Sequence, residues 1–410
     1  MRRPILLALL VALAWPNGAE AASFLTLRDA LTMAQGNPEL RAAAKQVKAA
    51  LARVHQANLP FNPNLTFSAD DMRPTDLGRG NYQIGVSLPL LPAGQRTLRT
   101  KAAELEHAIA ELERQNLSRN LATAVSSTYA EILRSQANAE LAAQSVEWAR
   151  RLLQSAESRY KAGDVSRYET IRAQVELTRA EKDRAVAGNA VAQAKARLNV
   201  LLGRSAQIAF DVQDGPPDDQ LSLPALDTLV EQALANRLEL QLAAIAGNRE
   251  VILARLASAE IWTGTEVSLA TGVAEGDHVV SASASLPIPL WNLQQGAVAE
   301  AQANEERFEA QRDQWRNTIT LEVEAAYRDT AIATDQLKLF QTSLLPQADR
   351  LINLAQRRFQ EGEGSGLEVL EARRTYQETH TAYVQSLLDY RIAIANLEKA
   401  VATPLSKERK

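Results

Sequence analysis

Glu368 and Glu371 stand three residues apart, a spacing that puts both carboxylates on one face of a helix. They follow directly on the glycine-rich run Gly362-Glu363-Gly364-Ser365-Gly366. A third carboxylate, Glu169, follows a second glycine break at Gly163-Asp164-Val165-Ser166. Taken by themselves, carboxylates at such places start helices, because the exposed N–H groups of a first turn favour negative charge by roughly 0.3–1 kcal/mol each. Little else in the chain invites chemistry. The four histidines, His55, His107, His278 and His380, are far apart and none is paired at helical spacing, so each reads as a solvated surface residue. Cysteine is absent, and no His-Glu-x-x-His or Gly-x-x-x-x-Gly-Lys pattern occurs. The sequence therefore offers no catalytic constellation, no metal set and no cofactor motif.

The elements that carry the carboxylates are long helices. From Arg96 to Lys161 the chain runs without a proline or glycine, and at 1.5 Å per residue such a helix reaches about 100 Å. Gly163 ends it, and a return helix follows from about Ser166 to Leu202. The later run from about Gln294 to Val401 reads as helical with one break, at Gly362 to Gly366, where Ser365 supplies an N-cap oxygen and Glu368 the matching carboxylate of a capping box. Both breaks are thus tips of very long helical hairpins.

Strands precede each hairpin. After Pro60 and Pro63, Leu65 to Asp70 begins to alternate; beyond a polar turn, Tyr82, Ile84, Val86 and Leu88 place apolar groups at every second position. Such strands of roughly ten residues match the length that crosses a tilted bilayer. The second half replays the first: Ser285-Leu286-Pro287 repeats Ser87-Leu88-Pro89, Tyr327 answers Tyr129, Arg358-Phe359 answers Arg159-Tyr160, and Leu397 answers Leu198. The offset stays near 200 residues, the mark of a tandem duplication. The expected organisation is a first repeat over 22–225, with strands at about 64–72 and 81–90, a tip at 162–166 and an equatorial loop at 203–225 holding a strand-like Gln207 to Phe210. A second repeat covers 226–410, with strands at about 265–274 and 278–287, a tip at 361–366 and a C-terminal tail.

Composition narrows the class. Of 410 residues, 46% are hydrophobic but only 5% aromatic, which suits helices packed side by side rather than a thick core. A net charge of −4 does not suggest a nucleic-acid partner. Arg2-Arg3, the apolar run Ile5 to Trp15 and Ala19-Glu20-Ala21 read as a cleaved signal over residues 1–21, the apolar run being too short to span a bilayer. No later stretch of spanning length is free of charges, so entry into a membrane would have to be by strands. Four strands cannot close a barrel in lipid. Three copies would give about twelve strands and, with the repeat, a cylinder of paired helices continuous with the barrel.

With the duplicated Arg-aromatic-x-x-Gly tips and the Ser-Leu-Pro strand ends, the chain resembles the TolC-type outer-membrane factor family across essentially its whole length after the leader. Asn62-Pro63-Asn64-Leu65 and Leu286-Pro287-Ile288-Pro289-Leu290-Trp291-Asn292-Leu293-Gln294-Gln295-Gly296 resemble the CzcC-like heavy-metal branch, although that branch has Phe-Asp-Arg-Asn-Gln-Gly where this chain has Trp291 to Gly296. The resemblance implies a mainly α protein with a membrane β-barrel: a homotrimer with a 12-stranded outer-membrane barrel on a periplasmic α-helical barrel, embedded in outer-membrane lipid. It implies a passive exit duct and no enzyme, working with a periplasmic adaptor and an inner-membrane resistance-nodulation-division (RND) pump on heavy-metal cations. By the same resemblance Glu368 and Glu371 face the pore at the periplasmic entrance, where three copies ring one constriction with charge that favours cations. Glu169 helps to hold that entrance closed in some relatives, against an arginine whose place is taken here by Gly364. Gly163, Asp164, Val165, Gly362, Glu363 and Gly364 would dock the adaptor. Multidrug efflux, type I secretion, and a pore-less periplasmic coiled-coil scaffold remain the alternative readings.

Overall fold

The computed structural model describes residues 24–70, 80–91, 94–212, 223–361 and 363–405; the expected leader and Gly362 lie outside them. Two short helices open the first half, α1 (Leu27–Ala34) and α2 (Pro38–Ala57). Thr26 caps α1 in a reciprocal capping box with Asp29, and Asn37 caps α2 ahead of Pro38, whose missing N–H is no loss in a first turn. Strands β2 (Asn64–Asp70) and β3 (Asn81–Pro89) follow. Helix α3 (Gln95–Ala162) then runs unbroken for 68 residues, about 100 Å. It turns at Gly163 into α4 (Arg167–Leu201).

The second half repeats the order with α5 (Leu226–Asn236), α6 (Leu238–Ala259), β5 (Glu266–Ala274), β6 (Asp277–Ser285), α7 (Gln295–Leu339), α8 (Leu345–Gln360) and α9 (Gly366–Val401). One expectation fails here. The run from Gln294 to Val401 is not interrupted at the tip alone: Phe340–Leu344 form a π-helical turn between α7 and α8. Pro346, just beyond it, has no N–H to offer the preceding turn, and a wider turn accommodates that loss. A second expectation shifts. The strand near residue 210 is β4 (Asp211–Val212) rather than Gln207 to Phe210, and it pairs in parallel with β1 (Phe24–Leu25). Phe210 is buried instead, with Lys195 and Arg204 over its ring at 5.7 and 5.4 Å.

The hairpins of the two halves join. β2, β3, β5 and β6 form one antiparallel sheet in that order, the halves meeting along β3 and β5. The register pairs Leu65 with Val86, Val86 with Leu269, and Leu269 with Ala282, so one face carries Leu65, Phe67, Ile84, Val86, Leu88 and Val280. The other face carries Asn, Thr, Ser and Gln, laced by Ser268 to Ser283 at 2.7 Å and Ser281 to Gln83 at 3.4 Å. Small residues make the seam possible. A Cβ on Gly272 would lie 1.8 Å from the Tyr82 carbonyl oxygen, and one on Gly85 would lie 2.7 Å from Ala270 Cβ.

Each half has its own core, near the middle of its descending helix and the end of its return helix. Val125, Tyr129 and Ile132 of α3 meet Leu198 of α4 and Ala30 of α1, with the Tyr129 hydroxyl donating to the Leu25 carbonyl at 2.9 Å. Ile319 and Val323 of α7 meet Leu397 and Val401 of α9 and Leu229 of α5 in the same way. Away from these cores the helices touch through alanines such as Ala142, Ala149, Ala156, Ala173 and Ala180, which let long helices lie close together.

Candidate functional site at the hairpin tips

The two tips are built differently. At the first, Gly163 adopts φ 84°, and its N–H and that of Asp164 return to the carbonyls of Tyr160 and Arg159 at 3.0 and 2.9 Å. Only glycine takes that left-handed conformation without strain, which is why the α3 helix ends there. Asp164 and Val165 complete the turn. At the second tip α8 ends at Gln360, and the N–H groups of Glu363 and Gly364 both return to the Arg358 carbonyl at 2.9 Å. A Cβ on Gly364 would stand 3.1 Å from Arg358 Cβ, so a larger residue there would press on the return.

Ser365 caps α9 as expected, its hydroxyl accepting from the Glu368 N–H at 3.2 Å. The reciprocal half of the box is not made. The Glu368 carboxylate reaches back across the tip to Arg358 instead, at 3.4 Å. A guanidinium offers the carboxylate a full opposite charge, which a single backbone N–H does not. Both partners are about half exposed, so this pair orients Glu368 more than it stabilises the fold.

Glu371 and Glu169 are brought together. They line one cleft of about 740 Å³ between α3, α4 and α9, with Tyr168, Arg172, Glu176 and Arg374. Glu368 is not part of that lining. The two carboxylates thus have different neighbours within one protomer. Glu371 faces the space shared with Glu169, while Glu368 braces the tip through Arg358.

Two contacts hold the hairpins to each other near the tips. Arg159, at the end of α3, lies 5.5 Å from the Phe359 ring centroid at the end of α8. Higher up, Arg373 of α9 lies 5.0 Å from the Tyr376 ring and 6.0 Å from the Trp148 ring of α3. The Arg-aromatic tip motif, which marks the duplication in the sequence, therefore has a physical job: the arginine of one repeat stacks on the aromatic residue of the other. Arg373 has no comparable sequence signal, since Trp148, its partner in the other hairpin, lies more than two hundred residues away.

Among the described residues no group of three or more His, Cys, Asp or Glu side chains could hold a metal ion, and no helix is long and apolar enough to cross a membrane.

The outer membrane efflux protein model matches residues 32–204 and 229–403 of this chain. The cobalt-zinc-cadmium resistance protein CzcC of Cupriavidus metallidurans is 26% identical over 372 residues, covering 89% of this chain and 87% of that protein. Protein CyaE of Bordetella pertussis is 28% identical over 413 residues, covering 93% and 86%. Among solved structures, CusC, described in terms of transmembrane channel formation, superposes with a TM-score of 0.77 at 19% identity over 93% of each chain. With both halves matched from the first core helix to the last, the chain belongs to the outer membrane efflux protein family.

Proposed function

We propose that this protein is the outer-membrane exit duct of a tripartite efflux system that carries heavy-metal cations. The observation that carries the reading is the four-stranded sheet: one apolar face, one polar face and two open edges, set on helices of about 100 Å. In lipid the edge strands β2 and β6 must find partners, since each unsatisfied backbone group costs several kcal/mol. Three copies joined edge to edge make a barrel of about twelve strands whose apolar face meets lipid and whose polar face lines water. The same symmetry arranges the helical hairpins as a periplasmic cylinder. The leader expected over residues 1–21 fits export to that membrane.

Below the barrel, the tips formed by Gly163-Asp164-Val165 and Glu363-Gly364 are the surfaces on which a periplasmic adaptor would dock, bringing the duct to an inner-membrane RND pump. The pump supplies the energy, and the duct performs no chemistry. A heavy-metal cargo is favoured over drugs or proteins by the cobalt-zinc-cadmium resistance relative and by acidic groups at the entrance. Glu371 and Glu169 would place negative charge along the cation path, and a passive path is better served by weak, repeated attraction than by one tight site.

Planar-bilayer conductance of the purified protein tests this, wild type against Glu368→Gln/Glu371→Gln. Low, cation-selective conductance that loses selectivity in the variant supports the duct and its acidic entrance. Unchanged selectivity leaves the duct but returns both glutamates to helix-start residues. A folded oligomer in the outer-membrane fraction that conducts in neither form sinks the pore.

A further inference from the structure

On the far side of the Trp148–Arg373 contact lies a second cleft, of about 480 Å³, lined by three arginines: Arg151 of α3, whose Nε donates to the Glu147 carbonyl at 3.4 Å, Arg184 of α4 and Arg373 of α9. Trp148, Gln144 and Gln356 supply the rest of its walls. Two carboxylates, Glu140 and Glu147, share the lining, but Glu147 is held by Arg150 at 2.8 Å. Among the described residues none of the three cleft arginines has a carboxylate within 4.0 Å, and the Nε of Arg373 is buried without a hydrogen-bond partner. Arginines elsewhere on the same helices, Arg150, Arg179 and Arg374, each have such a carboxylate.

Three like charges around one cleft repel, and burial costs a charged group dearly unless it is paired. Both effects register at Arg373, where burial and the nearby Arg151 hold the guanidinium below the usual arginine range against an opposing pull from Tyr376. An anion in the cleft would relieve the repulsion and give the guanidiniums an opposite charge to pair with. Oxyanions suit guanidinium forks, which hold two oxygens of a carboxylate or a phosphate through paired N–H donors.

We propose that the cleft between α3, α4, α8 and α9 is a binding site for an oxyanion group, the carboxylate or phosphate of a small solute, held by Arg151, Arg184 and Arg373 against the Trp148 ring. Occupancy would tie both hairpins together a few turns above the tips, because the three arginines come from both of them. The site is separate from the acidic cleft of Glu169 and Glu371 and shares only the Trp148–Arg373 wall with it.

The test is calorimetric titration of the full-length detergent-solubilised oligomer with inorganic phosphate and with citrate, at ionic strength matched with sodium chloride. At least one probe is expected to bind saturably. Arg184→Gln, an exposed position that does not threaten folding, and Arg151→Gln should each weaken binding tenfold or more; Arg373→Lys should weaken it while keeping the charge, because lysine lacks the fork. Binding of phosphate alone assigns a phosphate group, and binding of citrate alone a carboxylate. No saturable heat with either probe overturns the site. So does binding that Arg184→Gln and Arg151→Gln both leave unchanged.

Discussion

At the joint between the short helices the first half uses Asn37, and the second uses Arg237. Both reach the last turn of their return helix: Asn37 Nδ2 donates to the Leu201 carbonyl at 2.8 Å, and Arg237 Nη1 to the Ala400 carbonyl at 3.2 Å. Asn37 is neutral and also caps its own helix through the Glu39 N–H at 2.7 Å. Arg237 is buried at 6% exposure, forked onto Glu239 at 2.9 and 3.0 Å and paired with Glu322 at 2.9 Å. The duplication thus kept the contact but changed its chemistry. A neutral amide can be lost for the cost of one hydrogen bond, whereas a buried charge network fails as a unit.

The same contrast runs along the long hairpins. The first descends in one 68-residue helix, while the second reaches its tip through a π turn at Phe340–Leu344. The second half turns between its strands at Glu275-Gly276, with φ 54° and 93°, and has the better-capped tip helix, since Ser166 makes no side-chain cap.

The largest effect should come from separating the halves. Gly272→Val puts side-chain atoms where the Tyr82 carbonyl lies, and is expected to abolish the proposed oligomer, read by size-exclusion chromatography in detergent. Gly188→Ala meets nothing within 4 Å in the middle of α4 and should be neutral or stabilising by about 0.5–1 kcal/mol. Intact oligomer from Gly272→Val would mean the β3–β5 seam is not where the halves meet.

Next, Arg237→Ala should destabilise by about 3–5 kcal/mol, because it strands Glu239, while Asn37→Ala should cost about 1 kcal/mol. Thermal unfolding in detergent ranks them, and equal losses would erase the distinction drawn between the joints. At the tips, Ser365→Ala should cost about 1 kcal/mol and Ser166→Ala markedly less, as read from amide exchange in the first turns of α9 and α4.

The smallest effect concerns acid. The Thr26 hydroxyl and N–H hold the Asp29 carboxyl below the usual carboxylate range, whereas α5 begins at Ala225 with no side-chain cap. The stabilisation from Asp29 is therefore complete above the ordinary carboxylate pKa and fades as pH falls through the depressed value of the folded state. Amide exchange should show α1 loosening in acid before α5 does, and simultaneous loosening would count against the cap.

Much of this could be read before any fold was known. Three- and four-residue recurrence of Leu, Ala and Val, the alternation at Tyr82, Ile84, Val86 and Leu88, and Gly163 at a helix end are local signals, each set by a residue and its near neighbours. Repetition doubled those signals and so located helices, strands and tips alike. What failed was also local in origin but weaker. Pro346 stands at a place where either a kink or a wider turn would serve; the structure has the wider turn, with Phe340 packed on Tyr383 of α9 at 6.5 Å.

The site residues divide along the same line. Sequence alone determined that Glu169 and Glu368 begin helices after glycine breaks, since capping and the helix dipole act within one turn, and that Glu371 follows one turn later on the same face. That Glu371 shares a cleft with Glu169 while Glu368 turns to Arg358, and that Arg373 lies between two clefts against Trp148, was decided only in three dimensions. Those partners come from different helices, and which faces meet depends on how α3, α4, α8 and α9 wrap around one another, a sum of many alanine contacts that no single residue announces.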